Sequence, residues 1–447
     1  MKIKLPNGIV LSRDEDESYY WVSTETQSDA EEIVIPESHN GIPVTHICEC
    51  AFYNCPNLSR LTVPGSIVSM GYTSLSENPD GISVTVLDGV SEINEFTFYM
   101  DGSLKSITLP DSVKKIPDSA FEGCSKLESI LLPDGLEAIE AFTFSDCESL
   151  SRIELPKSTA VIGISAFSKC HSLLELPDLS GVEILGCSSF SECTSLTSIT
   201  VPANINHIEG GAFRDCTSLT NVTISEGVKR IGKYAFSGCT SLKSITVPKS
   251  VTVIEEGAFE GCTALESVTV NAENAEIGKR AFFSCPKLTE LTVPGMLKST
   301  ILDDFVETYH ITKVTLTEGT RTVGPLLFYG CSRLEEVVFP KSLTEICRLA
   351  FYRCVSLKEI VLPEGLRIIG SEAFHSCVRL SKVSIPRSIR KIDAGAFSTC
   401  PFLTTLDYGG YAEEWEKVEH HLLEDADSEV AFIRYKTRTR SSLTEKN

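Results

Sequence analysis

Seventeen cysteines and eight histidines in 447 residues raise thiol, disulfide and metal chemistry before anything else. Thirteen of the cysteines, among them Cys55, Cys124, Cys147, Cys239 and Cys400, fall at one phase of a fixed 23-residue spacing. Residues that recur at one phase share one environment. These thiols are therefore expected in a common buried slot, where a free cysteine behaves as a small apolar residue. Thiols on adjacent turns would lie within disulfide reach but would have to point sideways at each other to bond, and an odd total cannot all pair. A reducing or oxygen-poor setting follows as the expectation. The other four are Cys48, Cys50, Cys187 and Cys347. His46, Cys48 and Cys50 come nearest to a ligand set, but Cys-x-Cys with one histidine lacks the second pair that zinc sites carry. His420 and His421 precede the acidic run EDADSE and read as a solvated helix face. No P-loop, His-Glu-x-x-His, glycine-rich dinucleotide turn or nucleophile elbow is present. No catalytic residue, cofactor or metal is expected; an enzyme or metal protein using His46, Cys48 and Cys50 is the alternative.

The elements that would position these residues follow from the period. Phe98, Phe121, Phe144, Phe167, Phe190, Phe213, Phe236, Phe259, Phe282, Phe305, Phe328, Phe351, Phe374 and Phe397 stand 23 residues apart, with Phe52 two periods before Phe98 and Leu75 between them. Three residues after each Phe comes Cys, three later Leu, three later Ile or Val, then an apolar residue and often Pro. The run L-x-x-I-x-V alternates inward side chains as a short strand does, and Pro ends it because it has no N–H to donate. V-x-x-I reads as a second short strand. The A-F-x-x-C segment reads as a helical or 3₁₀ turn that drops Phe and Cys inward. One turn cannot bury its own apolar face, so stability must come from stacking on neighbours.

The expected fold is a β-rich repeat solenoid of the leucine-rich α/β type. It is a curved right-handed stack of about sixteen turns with a parallel β-sheet, about 75 Å long at the usual strand spacing. Four segments are expected: an N-terminal cap over 1–46, the solenoid over 47–406, a C-terminal cap over 407–435 and a disordered tail over 436–447. In the second cap Tyr411, Trp415, Val418 and Leu422 recur at helical spacing, and Val430 to Tyr435 form a closing strand. Two turns fit the pattern poorly, 69–92 and 296–323, the second with Thr308 in place of Cys; they read as bulges or as places opened for a partner.

The formal charge of −21 argues against a nucleic-acid partner. No run of eighteen apolar residues predicts a membrane span. The first twenty residues lack an apolar h-region, so no secretion signal is expected in the chain as it stands. The contact face is expected on the outward strand positions, whose side chains are free of the core. Thr200, Thr223, Thr246, Thr269, Thr292 and Thr315 form one outward column, with Ser198, Asn221, Ser244 and Ser267 a second, two residues earlier. Such an array suits ordered water or ice, although Thr is also the ordinary occupant of an exposed strand. Beyond it lie Glu335, Glu336, Lys358, Glu359, Lys382 and Asp407 with apolar Val338 and Val361, a mixture that suits a protein or glycoprotein partner. A monomer is expected, with a self-assembling structural array as a second reading.

The repeat resembles the BspA type of leucine-rich repeat, whose unit is LxxIxLPxxVxxIgxxAFxxC, over roughly residues 30–406; YGGYAEEWEKV resembles the YxGTEEEW-type ending that often follows. The family is abundant in bacteria of the mouth and gut and in some parasitic protists; the resemblance implies the solenoid fold and a role in attachment to host proteins or other cells, at a bacterial surface or after secretion.

Overall fold

A computed structural model describes residues 1–24, 28–71, 75, 78, 81–273, 275–296, 310–420, 430 and 432–436. Phe305, Thr308, His421, Leu422 and the tail from 437 lie outside the described residues. The chain is a β-solenoid of about 17 turns with parallel sheets and almost no helix. It divides into two compact units, Met1–Leu242 with Ala258–Cys262, and Lys243–Gly257 with Thr263–Asn447.

In the first unit the turns give strands to long parallel ladders on one side and shorter strands to a second set on another. Glu32–Val34, Arg60–Val63, Ile82–Val86, Leu104–Thr108 and Ser129–Leu131 make one long ladder, with Leu61 opposite Val84 and Ile107 opposite Ile130. Ala138–Ile139, Val161–Ile162 and Ile184–Leu185 belong to the short set. The alternation of L-x-x-I-x-V explains the burial: Ile199 and Val201 are enclosed, while Ser198 and Thr200 face water. Before the first turn, Lys2–Lys4, Ile9–Ser12 and Tyr20–Thr24 run antiparallel, and Tyr20–Thr24 then pairs parallel with Ile42–Ile47.

The second unit repeats the scheme. Ser244–Val247, Ser267–Val270, Glu290–Val293, Lys313–Leu316 and Glu336–Val338 form one long ladder; Glu359–Val361, Lys382–Ile385, Thr405–Tyr408 and Phe432–Arg434 form another. Glu290 stands opposite Lys313, so the strands on either side of the irregular stretch keep the 23-residue register. At the end of the chain the expected helix is a single turn, Ala412–Trp415, followed by Glu419–His420 paired with Lys391–Ile392. The closing strand is present as Phe432–Arg434.

The third side of each turn departs from the helical reading. Two residues on either side of the Phe the backbone is left-handed: Ser119 and Gly123 have φ of 56° and 75°, Phe142 and Asp146 56° and 58°. A helix needs an unbroken right-handed run. Alternate amides here have different duties. Those of Ser119, Phe121 and Gly123 donate to carbonyls of Ala141, Thr143 and Ser145 one turn on, while Ala120, Glu122 and Cys124 donate three residues back. The turn is thus tied to its neighbour as a strand would be, and the left-handed residues turn every second peptide along the stack.

Phe rings follow that spacing. Successive rings from Phe98 to Phe259 lie 5.1–5.8 Å apart and within 15° of parallel. Phe328, Phe351, Phe374 and Phe397 form a second stack at 5.1–5.4 Å. Leu127, Leu150 and Ile139 close the core beside the rings, all fully buried.

Candidate functional site: the outward strand face

The outward columns are where the alternation places them. Thr200 pairs with Thr223 across the first unit's ladder, with Ser198 opposite Asn221. In the second unit Thr246, Thr269, Thr292, Thr315 and Val338 stand opposite one another in turn. Glu335, Glu336, Lys358 and Lys382 are exposed, as are Val338 and, at 69%, Val361. Charges on this face pair across rungs: Lys313 to Glu336 at 3.3 Å, Lys382 to Glu359 at 3.3 Å and Arg434 to Asp407 at 3.2 Å. Exposed pairs of this kind contribute little stability and leave the face polar, with isolated apolar relief.

The cysteine column does structural chemistry that spacing alone did not reveal. From Cys124 to Cys262 each thiol donates to the main-chain carbonyl of the Phe 26 residues earlier: Cys124 to Phe98 at 3.0 Å, Cys147 to Phe121 at 3.2 Å, and so on to Cys262 and Phe236 at 3.3 Å. Cys354, Cys377 and Cys400 do the same to Phe328, Phe351 and Phe374 in the second unit. The Phe121 carbonyl also takes the amide of Cys124 at 3.1 Å. Where Cys is missing, the duty passes on. Asn78, at the cysteine phase, reaches the Phe52 carbonyl at 2.6 Å, and Ser103 reaches that of Leu75 at 3.0 Å. Asp101 holds the next cysteine position with one carboxylate oxygen buried and unpaired. Burial pushes its carboxyl above the usual range.

Burial likewise drives the column thiols upward, to about 12 for Cys216 and Cys400, which removes thiolate reactivity. His46 does not join Cys48 and Cys50 in a ligand set. Its ring stacks on Tyr19 at 4.5 Å and its Nδ1 lies 2.8 Å from the Thr45 hydroxyl. Among the described residues no three His, Cys, Asp or Glu side chains gather closely enough to hold an ion. His420 packs against Trp415 at 5.1 Å. Among the described residues no helix is long and apolar enough to cross a membrane.

The long ladder is interrupted at places other than the two flagged turns. In the first unit residues 151–156 and 173–179 form no strand, and Ser198–Val201 starts a fresh ladder. In the second, Glu336–Val338 and Glu359–Val361 belong to separate sheets. A sequence signal exists at the residue that closes each strand. Val63, Val86, Val201, Ile224, Val247 and Val270 occupy it in the continuous stretches, and Leu132, Leu155, Asp178, Phe339 and Leu362 around the interruptions, with Leu109 and Leu316 the exceptions. β-Branched side chains fit a pleated edge better. The amides of Leu109 and Leu362 reach forward to Leu131 and Ser384 one turn on.

A stack of parallel rungs with an inward Leu, Ile, Phe and Cys in each turn defines a leucine-rich-repeat solenoid. Within that class the chain belongs to the BspA type leucine rich repeat family, matched over residues 26–107, 91–218, 183–301 and 299–418. It is similar to a leucine-rich repeat protein from Bacteroides ovatus at 28% identity, covering 97% of this chain and 99% of that one with a TM-score of 0.54. A leucine rich cell surface protein from Faecalibacterium prausnitzii (23%, 94% and 97% coverage, TM-score 0.29) and the pneumococcal vaccine antigen PcpA (19%, 98% and 99%, TM-score 0.47) also align. No curated protein matches the chain.

Proposed function

We propose that this protein is a non-enzymatic scaffold that binds a protein or glycoprotein partner through its outward strand face, in attachment to a host component or another cell. The observation that carries the reading is the face itself: Thr columns in strict register, bordered by Glu335, Glu336, Lys358 and Lys382 and broken by exposed Val338 and Val361. Polar groups with scattered apolar anchors make a surface for a folded partner. A small substrate would need an enclosed pocket with convergent polar groups, whereas the Thr columns present an open, regular strand surface. Caps over 1–46 and 407–435 are part of the same reading, since terminal rungs need covering.

A photo-crosslinking amino acid placed at Thr223 or Val361, with Ile164 on the turn side as control, tests it against host matrix and native cell extract. Crosslinks to one species from Thr223 and Val361 but not Ile164 are expected. Equal crosslinking from all three, or crosslinks only between copies of this chain, would overturn it, the last in favour of a self-assembling array.

A further inference from the structure

The cleft beside Ser198–Val201 is built to take an additional strand. The next pair sets the hydrogen-bond phase: the amides of Asn221 and Ser225 reach back to the Thr197 and Val201 carbonyls. One turn earlier the corresponding amides are those of Ser198 and Thr200, which point at the preceding turn. That turn has no strand to offer. Among the described residues nothing accepts from the Ser198 and Thr200 amides, and the amides of Arg152, Ile153, Glu154 and Leu155 make no hydrogen bond either. In place of a partner strand lies a cleft of about 340 Å³ between Glu175–Ser180 and Ser198–Pro202. Exposed Leu131 and Leu174, each at 61%, flank the interrupted stretch.

Charge indicates the occupant. By sequence the first unit holds 15 basic and 34 acidic residues, a net −19 of the chain's −21. Near the cleft Glu154, Glu175 and Asp178 outnumber Arg152 and Lys157; Arg152 is shared by Glu154 at 2.8 Å and Glu175 at 3.9 Å. An open strand edge captures an extended chain by main-chain hydrogen bonds, and pockets for alternate side chains give selectivity. We infer that Ser198–Val201 is a strand-addition site for an extended peptide segment with alternating apolar and basic side chains, supplied by a protein partner. The inference deepens the binding role proposed above. It places one contact at a sheet edge, where main-chain donors are unsatisfied, rather than on the side-chain face.

The test uses the full chain and a labelled alternating lysine–valine heptapeptide, beside a glutamate–valine peptide and a lysine–valine peptide N-methylated at alternate residues. The basic peptide is expected to bind, more weakly as salt rises. It should slow amide exchange in the segment that contains Ser198 and Thr200. Thr200→Pro removes an edge donor and is tolerated on an edge strand; it should weaken binding about tenfold with an unchanged urea midpoint. Should Thr200→Pro fail to fold, the surface pair Glu175→Lys and Asp178→Lys serves instead, with the same loss expected. Equal binding of the acidic or N-methylated peptide, or wild-type binding by the variants, would overturn the edge site. Loss of face crosslinks with an intact peptide response would sink the proposed function and leave this site standing.

Discussion

The Sγ of Cys147 lies 3.2 Å from the carbonyl oxygen of Phe121 in the preceding turn, an oxygen that also accepts the Cys124 amide. Both residues are fully buried. The same pairing repeats through the column, so cysteine is there as a small apolar side chain with one weak donor. Cys147→Ala should cost roughly 1–2 kcal/mol, from lost packing and a weakened hydrogen bond. Chemical denaturation measures it. A variant as stable as the parent would leave the column without an energetic role.

Thiol burial links stability to alkaline pH. Cys216 and Cys400 rise to about 12 in the folded state, against about 8.5 for an unperturbed thiol. A folded-state value above the unfolded one means that the stabilisation is fully present below the unfolded value and is lost as pH rises toward the folded one. Between about pH 9 and 12 these two thiols alone should remove about 3 kcal/mol per pH unit. Urea unfolding from pH 8 to 10.5 should show the decline, and Cys216→Ala with Cys400→Ala should make it shallower, the other buried thiols of the column supplying the rest. Equal slopes in parent and variant would contradict the assignment.

Asp101 gives a dependence of the same sign at acid pH. Its carboxyl sits in the cysteine column with one oxygen unpaired, and burial raises its pKa. A carboxyl whose pKa is raised by folding is harder to ionise in the folded state, so ionisation costs stability there. That cost shrinks as pH falls below the folded-state value and is gone below the unfolded one. Asp101→Asn should therefore stabilise the protein at pH 7, with the gain shrinking as the buffer is acidified. A gain that is constant with pH would point to packing rather than charge.

The chemistry legible in the sequence was the chemistry with a period. Phe, Leu, Ile and Cys recur every 23 residues because all of them face one interior, and Thr200 or Thr315 could be placed outward because strand alternation leaves no other choice. What escaped was set by main-chain direction. Nothing in A-F-x-x-C distinguishes a helical turn from one with left-handed residues at Ser119 and Gly123, since apolar spacing is the same in both. The turns flagged as irregular lost apolar residues, whereas the ladder opens first at Leu155, where the apolar residue remains and only its branching changes, and then at Asp178, one period on. The thiol-to-carbonyl bonds need the next turn in place before they can be seen, and the acceptor is main chain, which sequence does not write.

Phe142 separates the two readings of that third side by experiment. It is exposed at 40% and holds φ of 56°, so its substitution changes backbone preference more than burial. In a helix, valine and asparagine are nearly equivalent and glycine costs about 1 kcal/mol relative to alanine. In a left-handed turn a β-branched residue is strained, asparagine is tolerated and glycine is free of the Cβ clash. Phe142→Val should lower stability by about 1 kcal/mol or more relative to Phe142→Asn, with Phe142→Gly at least as stable as the valine variant. Val and Asn variants of equal stability, with glycine the worst of the three, would restore the helical turn and remove the alternating tie between Phe142 and Ile164 on which the stack depends.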